Sequence, residues 1–191
     1  MSRMHVAIVA LLLGLHGAAG TAAADQAADA WSVLRAGAHV ALMRHADAPG
    51  GVGDPPGFRI DDCATQRNLS PKGRADAEKI GAQLKQEGVA FEKIVSSPWC
   101  RCMDTAKLLD LGTVETEPTF GNVVVLRDQS ETLTAGGRAR IATWTSLGNL
   151  LVVTHGANIF ALTGVSPASG EIVVVKGGSD RAVPIGRLLL D

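Results

Sequence analysis

The chain has 191 residues and a formal net charge of −1, with 46% hydrophobic residues, 4% aromatic residues and no tyrosine. That length suits one domain plus a processed segment, and the core must be built mainly from Val, Leu, Ile and Ala. The near-neutral charge points away from non-specific attachment to nucleic acid or to a membrane surface.

Residues 1–24 carry a cation at Arg3, an apolar run over 6–15 and small residues ending in Ala22, Ala23 and Ala24. This is the order of a secretory signal peptide. An apolar run of about ten residues is too short to span a bilayer, which takes ~20. The expectation is cleavage near Ala24, a folded domain over 25–191, a periplasmic or secreted location, and no stable membrane insertion once the signal is removed.

Beyond the signal, strand-like and helix-like segments alternate. "HVALM" (39–43) predicts a buried strand. "SPKGRADAEKIGAQLKQEG" (70–88) predicts a helix capped by Ser70, with Pro71 in its first turn and Gly88 past its end. Gly73, Ala77, Ile80 and Leu84 share one face of it. "FEKIVSS" (91–97) predicts a strand, and "PWCRCMDTAKLLD" (98–110) a helix with the stripe Trp99, Cys102, Ala106 and Leu109. A weaker helix is expected within 131–147, interrupted by Gly136 and Gly137. "NLLVVT" (149–154) is a strand, "GANIFALTG" (156–164) a short helix, and "EIVVV" (171–175) and "GRLLL" (186–190) two more strands. Continuous apolar strands alternating with helices indicate an α/β domain with a mostly parallel sheet covered on both faces.

In such sheets ligands bind beyond the carboxyl ends of the strands. Arg44 and His45 follow the first strand. Arg101 stands in the first turn of the helix after the second. Thr154 and His155 end the third long apolar strand. Two histidines and two arginines on converging strand ends describe a pocket for a doubly charged oxyanion, and arginine's planar fork suits phosphate. A neutral imidazole in that pocket can attack phosphorus and become phosphohistidine, with the arginines neutralising the transferring group.

Four segments between residues 40 and 160 then carry a resemblance: "LMRHAD", "NLSPKGRADAEKIGAQL", "VSSPWCRCMDTAKLL" and "VVTHGANI". In this order they resemble the motifs of the histidine phosphatase superfamily, the phosphoglycerate-mutase-like proteins, with Ala46 where glycine is usual. The resemblance implies a three-layer α/β/α sandwich and no metal or organic cofactor. It implies that His45 is the phosphorylated nucleophile and that Arg44, Arg101 and His155 hold the phosphoryl oxygens. The substrate would be a phosphorylated small molecule, phosphosugar or phosphoprotein.

The family usually supplies a carboxylic acid to protonate the leaving group, from the segment that here reads "EPTFGNVVVLRDQSETL". Asn122 stands near its usual place. Asp128 is the first candidate for the acid, with Glu131 and Glu171 as alternatives. If no acid is in place, the alternative reading is a catalytically weak or inactive phosphate-binding module of the same fold. The long Gly/Pro-rich loop 46–68 is expected to form a rim over the pocket, with Arg59 and Arg67 as candidates to meet substrate. Its Asp54-Pro55-Pro56 run breaks any dinucleotide-binding fingerprint. Of the three cysteines, Cys102 lies on an apolar stripe, which leaves Cys63 and Cys100 as the expected disulfide pair. The Cys-x-Cys spacing argues against a zinc site.

Overall fold

The computed structural model describes residues 30–190; the expected signal segment, 1–24, lies outside the described residues. Six strands form one sheet: β1 (His39–Arg44), β2 (Phe91–Ser96), β3 (Val114–Thr116), β4 (Asn149–Thr154), β5 (Ile172–Lys176) and β6 (Pro184–Leu188). The helices are α1 (30–36), α2 (Pro71–Gln86), α3 (Cys100–Leu108), α4 (Ser130–Ala142) and α5 (Gly156–Thr163). The spatial order is β3-β2-β4-β1-β5-β6. Strands β1 to β4 run parallel, β5 runs against both of its neighbours, and so β5 alone is reversed.

Strand alternation produces the layers. On β1, Ala41 and Met43 face one cluster, and Val40 and Leu42 face the other. On β4 the split is Leu151 and Val153 against Leu150 and Val152. The first cluster takes apolar residues from α1, α2 and α3, and the second from α4 and α5. The result is an α/β/α sandwich. Its handedness follows from chain order. Right-handed crossovers from β1 to β2 to β3 place α2 and α3 on one face. The chain then turns back to insert β4 between β2 and β1, and this puts α4 on the other face.

Helix α2 starts where capping chemistry dictates. The Ser70 hydroxyl accepts the Gly73 N–H at 2.9 Å, and Gly88 beyond the end adopts φ 71°. All four residues of its predicted stripe are buried, as are those of the α3 stripe. Two elements differ from expectation. Strand β3 was not visible in the sequence, because its three residues are exposed or half-buried at the sheet edge and show no apolar run. Strand β6 starts two residues before "GRLLL", at Pro184, a residue tolerated on an edge.

The chain after His45 packs closely on α2. A Cβ on Gly73 would lie 2.2 Å from the Asp47 carbonyl oxygen, so only glycine allows this approach. Gly73→Ala therefore forces backbone to move and should lower stability by about 1–3 kcal/mol, read as a lower urea midpoint with the cooperativity of unfolding retained.

Candidate active site

The parallel pairing of β1 with β4 aligns Arg44 with Thr154, and the His45 N–H extends that ladder by donating to the Thr154 carbonyl at 2.9 Å. His45 and His155 thus leave adjacent strands side by side, with ring centroids 5.6 Å apart and planes at 73°. A pocket of about 370 Å³ opens over them, and Arg44, Arg67, Asn122 and the first residues of α5 contribute to its walls.

Each side chain is held by its neighbours. The His45 Nδ1–H donates to the Ala46 carbonyl at 2.8 Å, which leaves Nε2 with its lone pair. The peptide after His45 is oriented in turn, because the Ala46 N–H donates to the Thr105 hydroxyl at 3.1 Å and that hydroxyl donates to the Arg101 carbonyl at 2.7 Å. Ala46 needs no left-handed backbone and fills a small apolar cluster with Ala48, Leu69 and Ala77. Burial pushes the His45 pKa down to about 3; the charges of Arg101, Arg44 and Arg67 add to this, and the Ala46 hydrogen bond opposes it. The His45 imidazole is therefore neutral at physiological pH.

His155 caps the start of α5. Its Nδ1 faces two donors at 3.5 Å, Arg101 Nη2 and Asn122 Nδ2, so Nδ1 accepts and the Nε2–H donates to Ser97 Oγ at 2.9 Å. Burial, then the charges around it, hold His155 well below the ordinary histidine range. Arg44 donates from Nη1 to the Pro167 carbonyl at 2.9 Å. It also lies against Gly156, where a Cβ would stand 3.3 Å from Arg44 Cδ, so glycine leaves room for the arginine beside the α5 N-terminus. The N–H groups of that first turn favour an anion.

The rim loop supplies what the motifs did not announce. Gly51, Val52, Gly53 and Arg67 line the pocket. Arg67 is held by its Nε–H to the Gly53 carbonyl at 3.0 Å and by Nη1 to the Ala48 carbonyl. Arg59 faces away and pairs with Asp61 and Asp62 on the surface. The rim is anchored to α3 by the Cys63–Cys100 disulfide and by Gln66 Oε1, which accepts the Cys100 N–H at 3.0 Å.

Several expected roles need correction. Arg101 does not line the pocket. Its side chain is fully buried and forms a two-point ion pair with Asp54, at 2.6 and 3.2 Å. Asp54 sits in the rim loop, where nothing in the sequence pattern signalled a partner for Arg101. No candidate acid reaches the pocket either. Asp128 is exposed on a single 3-10 turn, and Glu131 is exposed in the first turn of α4. Glu171 is buried, but its carboxylate accepts from Arg187 and from the Ala168 N–H, at 2.6 and 2.7 Å. Asp47 is drawn away to the Ser70 hydroxyl at 2.5 Å. Asn122 stands at the pocket wall instead. Among the described residues no carboxylate lines the pocket, and no group of His, Cys, Asp and Glu is arranged to hold a metal ion.

Two imidazoles that are neutral in the fold but protonate in the unfolded chain make stability depend on pH. Their contribution is constant above the unfolded value of 6.5 and falls as the pH drops toward about 3, where the unfolded chain binds protons that the fold excludes. Urea midpoints should therefore decrease from pH 7 to pH 4, and His45→Gln should flatten part of that decrease.

Residues 40–123 match the model of the histidine phosphatase superfamily (branch 1). Similar solved structures include the protein histidine phosphatase SixA complexed with tungstate, at 20% identity over 78% of this chain and 96% of that one, with a TM-score of 0.55. A putative phosphohistidine phosphatase SixA from Agrobacterium tumefaciens is 20% identical over 81% and 99% of the two chains, with a TM-score of 0.56. The α-ribazole phosphatase from Shigella flexneri is 15% identical over 76% and 94%, with a TM-score of 0.56. Among curated proteins, none matches the chain. The matched segment contains Arg44, His45 and Arg101. Over residues 40–123 the chain is similar to the histidine phosphatase superfamily.

Proposed function

We propose that this protein is a phosphatase that hydrolyses a phosphomonoester or a phosphohistidine through a phosphohistidine intermediate on His45. One observation carries the reading: His45 Nδ1 is occupied by the Ala46 carbonyl, so its neutral Nε2 is the free nucleophile beside Arg44, Arg67 and His155. In the first step Nε2 forms a bond to phosphorus while the bond to the leaving group breaks, and the leaving group takes its electron pair. In the second step water attacks phosphorus, the P–N bond breaks, and inorganic phosphate leaves with His45 restored. Arg44, Arg67 and the N–H groups at the α5 N-terminus oppose the charge on the three peripheral oxygens throughout.

The wall without a carboxylate restricts the substrate. A leaving group that needs a proton in the transition state gains no general acid here, a loss of about 10²–10⁴ in rate. The favoured substrates are those whose leaving group departs readily, such as an aryl phosphate or a protein phosphohistidine. The solved SixA relatives, described as histidine phosphatases, are in keeping with this preference. An exported location is part of the proposal. It rests on the residue order of 1–24 and fits a disulfide between rim and helix.

Two measurements test the reading. His45→Ala should abolish both p-nitrophenyl phosphate hydrolysis and acid-labile phosphorylation of the protein; full activity in that variant would rule the mechanism out. Across a series of phosphate esters, kcat/KM should drop steeply with rising leaving-group pKa, with alkyl phosphates at least about 100-fold slower than p-nitrophenyl phosphate. The same missing acid favours a second reading, a phosphate-binding module. Tight vanadate binding with no turnover of any of these substrates would select it.

A further inference from the structure

The pocket joins two kinds of surface. The two imidazoles, Arg44, Arg67 and the first turn of α5 form its anion-binding part. The rest of its lining is different: Val52, Val124, Ala157, Phe160 and Pro167 supply apolar surface, and no further charged side chain joins them. Asn122 is already engaged, since its Oδ1 accepts the Val124 N–H at 3.0 Å and its Nδ2 faces His155. Among the described residues Ser166 is therefore the one lining hydroxyl left to recognise a polar group.

Two of the apolar side chains are set out toward solvent. Phe160 is 55% exposed and Val52 is 85% exposed. Single exposed apolar residues are ordinary on a soluble protein, but these two come from separate elements and line one cavity. Phe160 lies four residues after Gly156, on the same face of α5 and about 6 Å along its axis. Its neighbours Ile159 and Leu162 turn inward to the core. No other ring is in contact with Phe160 among the described residues. Val52 is the tip of the rim, between two left-handed glycines, Gly51 at φ 85° and Gly53 at φ 84°. The Arg67 Nε–H donates to the Gly53 carbonyl at 3.0 Å, so a cation of the anion-binding part also fixes the apolar tip.

We propose that the substrate is an aryl phosphate, with its phosphoryl group against Arg44, Arg67 and the α5 N-terminus and its ring against Phe160 and the Val52 tip. Phe160 and Val52 are then the residues that determine specificity. The inference rests on the phosphatase reading for the position of the phosphoryl group. A phosphosugar would set its hydroxyls against apolar side chains and leave them short of partners. A substrate with a second anionic group would find no further cation in the lining. An aromatic ring instead displaces water from both side chains. The wall without a carboxylate agrees independently. As His45 Nε2 bonds to phosphorus, the P–O bond breaks and the phenolate takes the electron pair. It leaves without a proton from the protein, because a phenol has a pKa of ~10. The cavity of about 370 Å³ suits one ring and a phosphoryl group, at the small end of the ~300–1,000 Å³ common for ligand sites.

The test is calorimetric titration of the full chain with methylphosphonate and benzylphosphonate, whose P–C bonds resist hydrolysis. Benzylphosphonate should bind at least about tenfold more tightly, from the apolar area its ring buries. Phe160→Ala should bring the two affinities within about threefold of each other. Val52→Ser should narrow the gap less, and Phe160→Leu should keep part of it. Both side chains are exposed, so the variants should fold. Equal affinities in the wild-type chain, or an unchanged ratio in Phe160→Ala, would overturn the inference and leave the phosphatase reading intact. Binding of neither phosphonate, nor of inorganic phosphate, would remove the anion site and both readings with it. Turnover separates two sources of the same chemistry. Phenyl phosphate hydrolysed faster than a short tyrosine-phosphate peptide identifies a free aryl ester, and the reverse order a protein side chain. Either order supports the ring subsite, whereas no preference for either over ribose 5-phosphate overturns it.

Discussion

The register between β1 and β4 is the constraint on which the rest of the molecule depends. Both strands are buried on both faces at the centre of the sheet, and their pairing continues one residue further, through the His45 N–H. A slip of one residue would exchange every side chain between the two apolar layers. It would also carry His45 past His155. The packing that stabilises the sandwich is therefore the same packing that places the two imidazoles together, and the site requires no separate means of alignment.

Around that fixed pair, the site is tuned by burial. Two histidines sit neutral inside a ring of arginines: burial disfavours their charged forms first, and the arginine charges add to it. A buried ion pair adds little to stability when counted against well-packed apolar side chains, and Asp54–Arg101 is best seen in that light. Its consequence is organisational. It ties the rim, the first turn of α3 and the Trp99 indole into one unit, and the Cys63–Cys100 crosslink closes the same unit covalently.

The layers and the two histidine strands were legible because their signals are local. An apolar run that stops at Arg44-His45, a cap at Ser70 and a glycine at Gly88 each reflect a physical demand made by adjacent residues. The rest was not local. Arg67 could be named as a rim candidate, but Asp54 lies in a loop without periodicity and its partner is 47 residues away in sequence. The positions of Asp128, Glu131 and Glu171 in the sequence do not determine the directions of their side chains. One faces solvent on a single turn, one faces solvent on a helix, and one is already paired with Arg187. Strand β3 shows the same limit at the level of the fold, since three half-exposed edge residues leave no pattern to detect.

Trp99 gives the site an optical reporter. Its ring lies edge-on to His155, its indole N–H is bound to Asp54, and Phe58 of the rim covers its far side with centroids 6.0 Å apart. Indole emission responds to the polarity of its surroundings and is quenched by a nearby imidazolium. Of the three tryptophans, Trp99 is the one in contact with both the rim and the second histidine. Its fluorescence can report on the surroundings of the second histidine and of the rim without any added label.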